Sequence, residues 1–485
     1  MMQEEERNII VEKWKGRIPE FLGSIISRVM IAIICVIGLW TGVPALAQEL
    51  ISHQGPPPTS VEESTVPMEQ SFTPPPAEYG SLKTFQESAK KGMKDLPAFF
   101  RDTKLDANIR TYYFYRDKFD DTKSEALALG ASLVYKSGYL YDHFALGAAG
   151  YTSQPIYAPE ERDGTKLLME GQKGFTVLGQ LYGEIKLVDN MFINVYRKEY
   201  NTPYINKDDT RMVPNTFEAY TFTGKAGGKE GSPEVNFGAG YFTKMKPKDF
   251  QYFDPMSRML GVQEDRGVST GGANVKWKGL SLGAIDYYSQ DIINIFYTEG
   301  KYTFPPHSGL GFSMSAQYAN QGSNGDNLVT GSPFSTHQTG VKGEVSFRRA
   351  LLTLAYTNTA KGDNMRNPWG GYPGYTSVQV QDFNRASEEA FMVKLAYDFT
   401  SLGLKDFTAY ALMVNGWGAI NPATRGPVYN QTEYDFDVQW RPKFDSLKGL
   451  WFRARYARVE QRGTTAGNTS INDLRFILNY DFSIL

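Results

Sequence analysis

The sequence predicts an all-β fold: a transmembrane antiparallel β-barrel of about 18 strands, preceded by a signal peptide and a Pro-rich leader. Three observations predict it. The first is alternation near the chain's end. Tyr434, Phe436, Val438 and Trp440 oppose Glu433, Asp435, Asp437 and Gln439, and Phe452, Ala454 and Tyr456 oppose Arg453 and Arg455. In the last segment Leu474, Phe476, Leu478, Tyr480 and Phe482 oppose Asp473, Arg475, Asn479 and Asp481. A period of two is a strand. One aromatic-aliphatic face and one ionised face fit a barrel in lipid around a wet lumen. An antiparallel sheet with one solvated face would read the same on these segments alone. The second observation is that short and long connections alternate, as the turns and loops of a membrane barrel do. The third is that, beyond the N-terminus, no apolar run approaches the 18 or more residues of a membrane helix.

The elements follow in order. Residues 1–47 read as a signal peptide with an extended basic and acidic lead that includes Glu4, Glu5 and Glu6. The apolar run Val29 to Trp40 follows Arg28 and precedes Ala45-Leu46-Ala47, a small-residue cleavage site. Twelve residues are too few for a retained anchor. Cys35, the single cysteine, lies inside this run, so the exported chain has neither a disulfide framework nor a cysteine metal site. Residues 48–80, with Pro56-Pro57-Pro58 and Pro74-Pro75-Pro76, form a flexible linker that cannot bury a core. Residues 81–101 space Leu82, Phe85, Ala89, Met93 and Leu96 as a short helix does. That helix is expected to pack at the barrel mouth, with a lumen plug or a cell-wall contact as alternatives.

Residues 102–485 are the barrel. Strands are expected at 105–116, 124–136, 142–152, 175–188, 191–200, 215–225, 234–243, 269–277, 280–290, 292–304, 309–320, 337–348, 351–360, 388–400, 406–417, 431–441, 450–460 and 471–485. Each reaches the ten or so residues that a tilted membrane strand needs. Short turns such as 189–190 and 348–350 alternate with long loops such as 153–174, 201–214, 244–268 and 361–387.

Within this span, Leu105-Asp106 through Arg110, then Tyr112-Tyr113-Phe114 and Arg116-Asp117, resemble the first strand of the OprD family of outer-membrane porins. Leu474-Arg475-Phe476-Ile477, Asn479-Tyr480-Asp481 and Ser483-Ile484-Leu485 resemble its last strand, and Thr210 to Thr216 is similar to the segment leaving its third external loop. The likeness covers roughly 102–485; the leader, the preceding helix and the loop sequences depart from it. It implies an eighteen-stranded porin that guides the carboxylates of amino acids and small organic acids past a row of arginines. It also implies a third external loop that folds inward to narrow the pore.

Strand phase puts Arg110, Lys342, Lys394, Arg453, Arg455 and Arg475 on the wet face as a candidate basic ladder. Asp106, Glu344, Asp398, Glu433, Asp435, Asp437 and Asp473 are the candidate acidic lining. Charges in a narrow low-dielectric bore hold solutes strongly. The acids could take an amino group, neutralise the ladder, or make ordinary ion pairs with it. A one-residue register slip would exchange the two faces. Arg458 falls on the apolar side, which requires a bulge or an interfacial position. By the resemblance, Lys207, Asp208, Asp209 and Arg211 lie in the constriction loop; the alternative is an exposed polar loop. The aromatic-glycine stretch 367–375 is expected to be a surface loop tip, with a sugar-stacking surface as the alternative.

Enzyme signals are poor. His53, His143, His307 and His337 lie far apart without metal-ligand spacing, and no G-x-S-x-G or P-loop occurs. A net charge of −2 argues against nucleic acid. The expected function is an outer-membrane porin for small hydrophilic solutes, without cofactor or metal, embedded in the outer-membrane bilayer. A homo-oligomer is left open. The rivals are an outer-membrane hydrolase and a structural or adhesive barrel.

Overall fold

The computed structural model describes residues 80–81, 83–229, 231–307, 309–444, 447–463 and 469–485. The expected signal peptide, and all but the last residue of the Pro-rich linker, lie outside them. Eighteen long strands form the barrel. They are β1 (Lys104–Asp117), β2 (Lys123–Lys136), β3 (Phe144–Tyr157), β4 (Phe175–Val188), β5 (Met191–Lys198), β6 (Thr216–Gly227), β7 (Glu234–Lys246), β8 (Val268–Trp277) and β9 (Leu280–Ser289). Then come β10 (Ile293–His307), β11 (Leu310–Gly322), β12 (Ser335–Phe347), β13 (Ala350–Thr359), β14 (Glu389–Asp398), β15 (Phe407–Trp417), β16 (Asn430–Trp440), β17 (Leu450–Arg462) and β18 (Ser470–Ser483). Each strand is antiparallel to its neighbour in sequence, and β1 pairs with β18 from Asp106 opposite Ser483 to Asp117 opposite Asn472. That pairing closes the ring and leaves no sheet edge in lipid.

The faces divide by parity. Leu282, Met314, Val341, Leu395 and Phe436 point outward and are each more than half exposed. Left in water, each would forgo about 1.5–3 kcal/mol of burial; acyl chains supply that environment. Arg458 also points outward. Its pairing with Tyr434 and Asn472 runs without a bulge, and its guanidinium donates to Glu460 Oε1 at 2.9 Å and Asn472 Oδ1 at 3.3 Å. It therefore sits at an interfacial level near the long-loop end.

At one end the turns are tight. Lys278 and Gly279, both in left-handed conformation, join β8 to β9 in two residues, the twist that an antiparallel hairpin favours. The opposite end carries the long connections. By the usual barrel orientation, the tight turns mark the periplasmic side.

The segment before β1 forms two helices, α1 (Lys83–Met93) and α2 (Ala98–Arg101), with Pro97 capping the second. Pro97 cannot continue a helix from the residues before it, which splits the spacing read as one helix. Both lie at the tight-turn mouth. Gly80–Ser81 pair in parallel with Phe482–Ser483, and Gln86 Nε2 donates to Ser483 O at 2.6 Å. The Gly138 N–H donates to Phe99 O at 3.0 Å; a Cβ at Gly138 would lie 2.0 Å from Ala98 O, so only glycine admits α2 there.

The apolar core lies inside the barrel, made by long loops folded into the long-loop half. One cluster joins Tyr204 and Ile205 to Phe217, Phe242, Met256, Tyr287, Tyr297, Trp369 and Tyr372. A second packs Leu167, Leu168, Met212 and Val213 on Tyr112, Phe114 and Ile477. The expectation of a surface tip at 367–375 is therefore wrong: Trp369, Tyr372 and Tyr375 are at most 4% exposed. Their aromatic area is the reason, because a lumen wide enough for water is closed more favourably by packed rings than by solvent.

Candidate functional site

The loop 199–215 leaves β5 and enters β6, and its middle crosses the bore. Tyr204 is fully buried, edge-on to Tyr287 of β9 at 5.8 Å and to Tyr297 of β10 at 6.2 Å. Its backbone N–H donates to the Tyr287 hydroxyl at 3.2 Å. Five residues later, Asp209 accepts from Arg110 of β1 at 2.6 and 3.2 Å. In a ring of eighteen, β1 and β10 stand on opposite walls. Five extended residues reach at most about 17 Å, enough to bridge the space left between inward side chains.

Arg110 also donates to Arg211 O and, through Nε, to Asn479 Oδ1 at 2.8 Å. Lys248 pairs with Asp208 and donates to Thr210 Oγ1 at 3.0 Å. Arg211 Nε donates to Thr165 O at 2.8 Å, and its guanidinium lies 4.9 Å over the Phe114 ring. Lys207 lies beside the Asp209 carboxylate. Burial pushes the Asp209 carboxyl up, but the Arg110 guanidinium, together with Lys207 and Lys248, outweighs it and holds the group below its usual 3.8. Burial lowers Lys248, and Asp208 offsets this only in part. The loop is thus fastened to β1 by the Asp209 charge and to the far wall by Tyr204, with Asp208 tied to Lys248 of the next loop.

A second inward loop, 360–388, locks onto the first. Asn206 Nδ2 donates to Gly371 O at 3.0 Å, and the Gly371 N–H returns a bond to Asn206 Oδ1 at 2.8 Å. A Cβ at Gly370 would meet the Asn206 amide at 2.5 Å, so glycine is required for this approach. Trp369 Nε1 donates to Met256 O at 3.1 Å, and the Tyr372 hydroxyl to Gln338 Oε1 at 2.9 Å. The loop then reaches β16. Glu433 accepts the backbone N–H groups of Val380 and Gln381 at 2.7 and 2.8 Å, and Asp435 that of Gln379 at 3.1 Å. Glu433 and Asp435, proposed from sequence as lining, are completely covered; they hold the loop.

The basic residues do form a row along the inner wall. Arg455 and Arg475 are direct partners across β17 and β18. Asp437 receives both Arg453 at 2.7 Å and Arg455 at 3.0 Å. Asp473 receives Arg475 at 2.6 Å and Arg116 at 2.7 Å. Arg475 also donates to Gln379 O at 2.9 Å. Lys394 stands among Asp437, Arg453, Glu344 and Lys342, with its Nζ 4.3 Å from the Tyr410 ring centroid. Lys342 lies 4.8 Å over the Tyr375 ring, and Glu344 accepts from Ser313 at 3.1 Å and from Lys301 at 3.4 Å. Asp437 and Asp473 each take two guanidiniums, Asp435 lies beside Arg455 and Arg475, and Lys394 adds a further cation to a wall whose Arg453, Arg455 and Arg475 are themselves buried.

Not every candidate joins the row. Asp398 accepts from Arg349 at 2.8 Å and caps the Thr400 N–H at 2.9 Å at the tight-turn end. Asp106 lies at the same end, opposite Ser483. Arg110 belongs to the loop clamp. The sequence reading missed Arg116 and Lys301 as members of the row, although the alternation of Arg116 with Tyr115 and Asp117, and of Lys301 with Gly300 and Tyr302, carried the signal. It also missed Lys248, whose place depends on how its loop folds.

Comparison with known proteins bears on this arrangement. Residues 97–484 match the model of a family described as outer membrane porin, OprD family. Porin D of Pseudomonas aeruginosa is 22% identical over 419 residues, covering 80% of this chain and 92% of that one. The crystal structure of P. aeruginosa OccK9 (OpdG) superposes with a TM-score of 0.71 at 21% identity, over 80% of this chain and 100% of the other. A BenF-like porin from Pseudomonas fluorescens Pf-5 gives 0.71 at 18%, over 79% and 100%. P. aeruginosa OpdK, solved with vanillate, gives 0.69 at 17%, over 79% and 100%. At these identities the solved structures establish a shared fold.

Proposed function

Because this chain belongs to the OprD family of outer membrane porins, we propose that it is a passive channel selective for small solutes bearing a carboxylate. The observation that carries this reading is the pairing on β16–β18 and β1, where Asp437 and Asp473 each serve two guanidiniums. A wall that gathers arginines and lysines, backed by lipid, draws anions into the bore and raises their local concentration. OpdK, a structural relative, was solved with vanillate, itself a carboxylate. The two inward loops set the size limit, with Lys207, Asp208, Asp209 and Arg211 at the crossing. Residues 1–47 direct export.

Single-channel recording of the refolded protein in a planar bilayer tests this. Steady openings, with anion preference in the reversal potential and block by small carboxylates, are the expected result. Arg453→Ala with Arg455→Ala should weaken the block at least about tenfold, the effect of roughly 1.4 kcal/mol of lost attraction. Cation preference, with no response to carboxylates, overturns the proposal.

A further inference from the structure

We propose that α1 and α2 form an interfacial anchor that binds the acidic phospholipid headgroups of the periplasmic leaflet. The proposal rests on the barrel's place in the membrane and is independent of what the bore carries. Helix α1 lies ahead of residues 97–484, the span that matches the porin family.

The segment divides by side. In α1, Gln86, Ala89 and Met93 are half-buried, and Gln86 is bonded to Ser483 O, so this face meets the barrel's rim. At about 100° per residue, Lys90 and Lys91 fall off its flank, and both are exposed, as is Lys94 just past the helix. From Lys90 to Lys104 five cations stand against two acids, Asp95 and Asp102. Arg101 is taken by Asp102 at 2.9 Å; among the described residues no carboxylate pairs with Lys90, Lys91 or Lys94. The helix dipole accounts for cations at its C-terminal end, but not for the apolar residues beside them.

Those residues make the second half of the argument. Leu96 and Phe100 are 44% and 51% exposed. The Gly138 N–H bonded to Phe99 O sets α2 against the turn between β2 and β3, which exposes Leu140 and Tyr141. Phe144 and Leu146 carry the apolar surface on along the lipid-facing side of β3. The patch is thus continuous with the wall that acyl chains cover. Rings at the acyl boundary with lysines beside them are the pattern of a segment lying in the headgroup layer. The ammonium groups there meet phosphate. An acidic protein or polymer would meet the lysines but leave the rings in water.

The test is backbone amide exchange of the refolded chain, leader included, in nanodiscs of phosphatidylcholine alone or mixed with phosphatidylglycerol. Amides of 83–101 should exchange about a hundredfold more slowly in the mixed discs, the effect of three lysines at a charged surface. The gain should vanish at 1 M salt, where the screening length falls to about 3 Å. Lys90→Gln, Lys91→Gln and Lys94→Gln together should abolish it. Leu96→Ser with Phe100→Ser should speed exchange of the segment in both discs. Exchange of the barrel strands reports that each variant is folded. Equal protection in the two discs, or protection unmoved by the lysine substitutions, overturns the anchor. Protection that arises only when peptidoglycan sacculi are added assigns the cations to the cell wall and overturns it as well.

Discussion

Removing the Asp209 carboxylate should free the crossing loop from β1. In Asp209→Ala, Arg110 loses two charge-assisted bonds, at 2.6 and 3.2 Å, and keeps Asn479 Oδ1, Arg211 O and the neighbouring Asp481 carboxylate. Bonds of this kind are worth about 1.5–3 kcal/mol net. The Arg110 side chain is 13% exposed but that of Asp209 is 36% exposed, so water screens part of the attraction. A loss of about 2 kcal/mol follows, which shifts the docked-to-undocked ratio about thirtyfold. Tyr204, the Asp208–Lys248 pair, the Arg211–Thr165 bond and the Asn206–Gly371 clasp remain, so the loop loosens beside β1 and does not leave the lumen. Single-channel traces should show a steady wild-type level replaced by frequent excursions to higher conductance. Asp209→Asn, which keeps an acceptor without the charge, should fall between. Traces of Asp209→Ala indistinguishable from wild type would refute the assignment of this pair as the loop's anchor.

Other perturbations test the remaining anchors. The folded-state carboxyl of Asp209 lies below 3.8, so its contribution to docking is complete above that value and is lost as pH falls through the lower one. Conductance noise should stay flat from neutral pH to about 4 and rise only below. Trp369→Ala empties a fully buried site in the second loop and should cost about 3–5 kcal/mol, seen as faster proteolysis within 360–388 while the strands stay protected. Glu433→Gln replaces a carboxyl whose two oxygens accept two backbone N–H groups by an amide with a single acceptor oxygen. It should weaken that clasp by about 1–2 kcal/mol, read as earlier cleavage near Val380; unchanged cleavage would reassign the clasp to Asp435 and Gln379.

The strands were legible because a barrel wall is a local problem. Whether Phe436 faces lipid and Asp437 faces the bore depends only on parity, which the sequence states residue by residue. On the last three strands Glu433, Asp435, Asp437, Arg453, Arg455, Asp473 and Arg475 are buried, while Phe436 and Val438 are exposed. The loops were not legible in this way. Trp369 and Tyr372 read as a surface tip because nothing within 367–375 shows that Met256, Asn206 and Gln338 will surround them. Glu433 and Asp435 lie on the inner face, but what covers them is a backbone some fifty positions away.

By itself, then, the sequence determined the fold class and the number of strands, since these follow from a period of two between turns. Only the tertiary structure decided which charged side chains hold a loop. Closing the ring brings β1, β10 and β16 around one bore, and the 199–215 and 360–388 loops settle there by contacts between residues far apart in the chain, for which no local pattern exists.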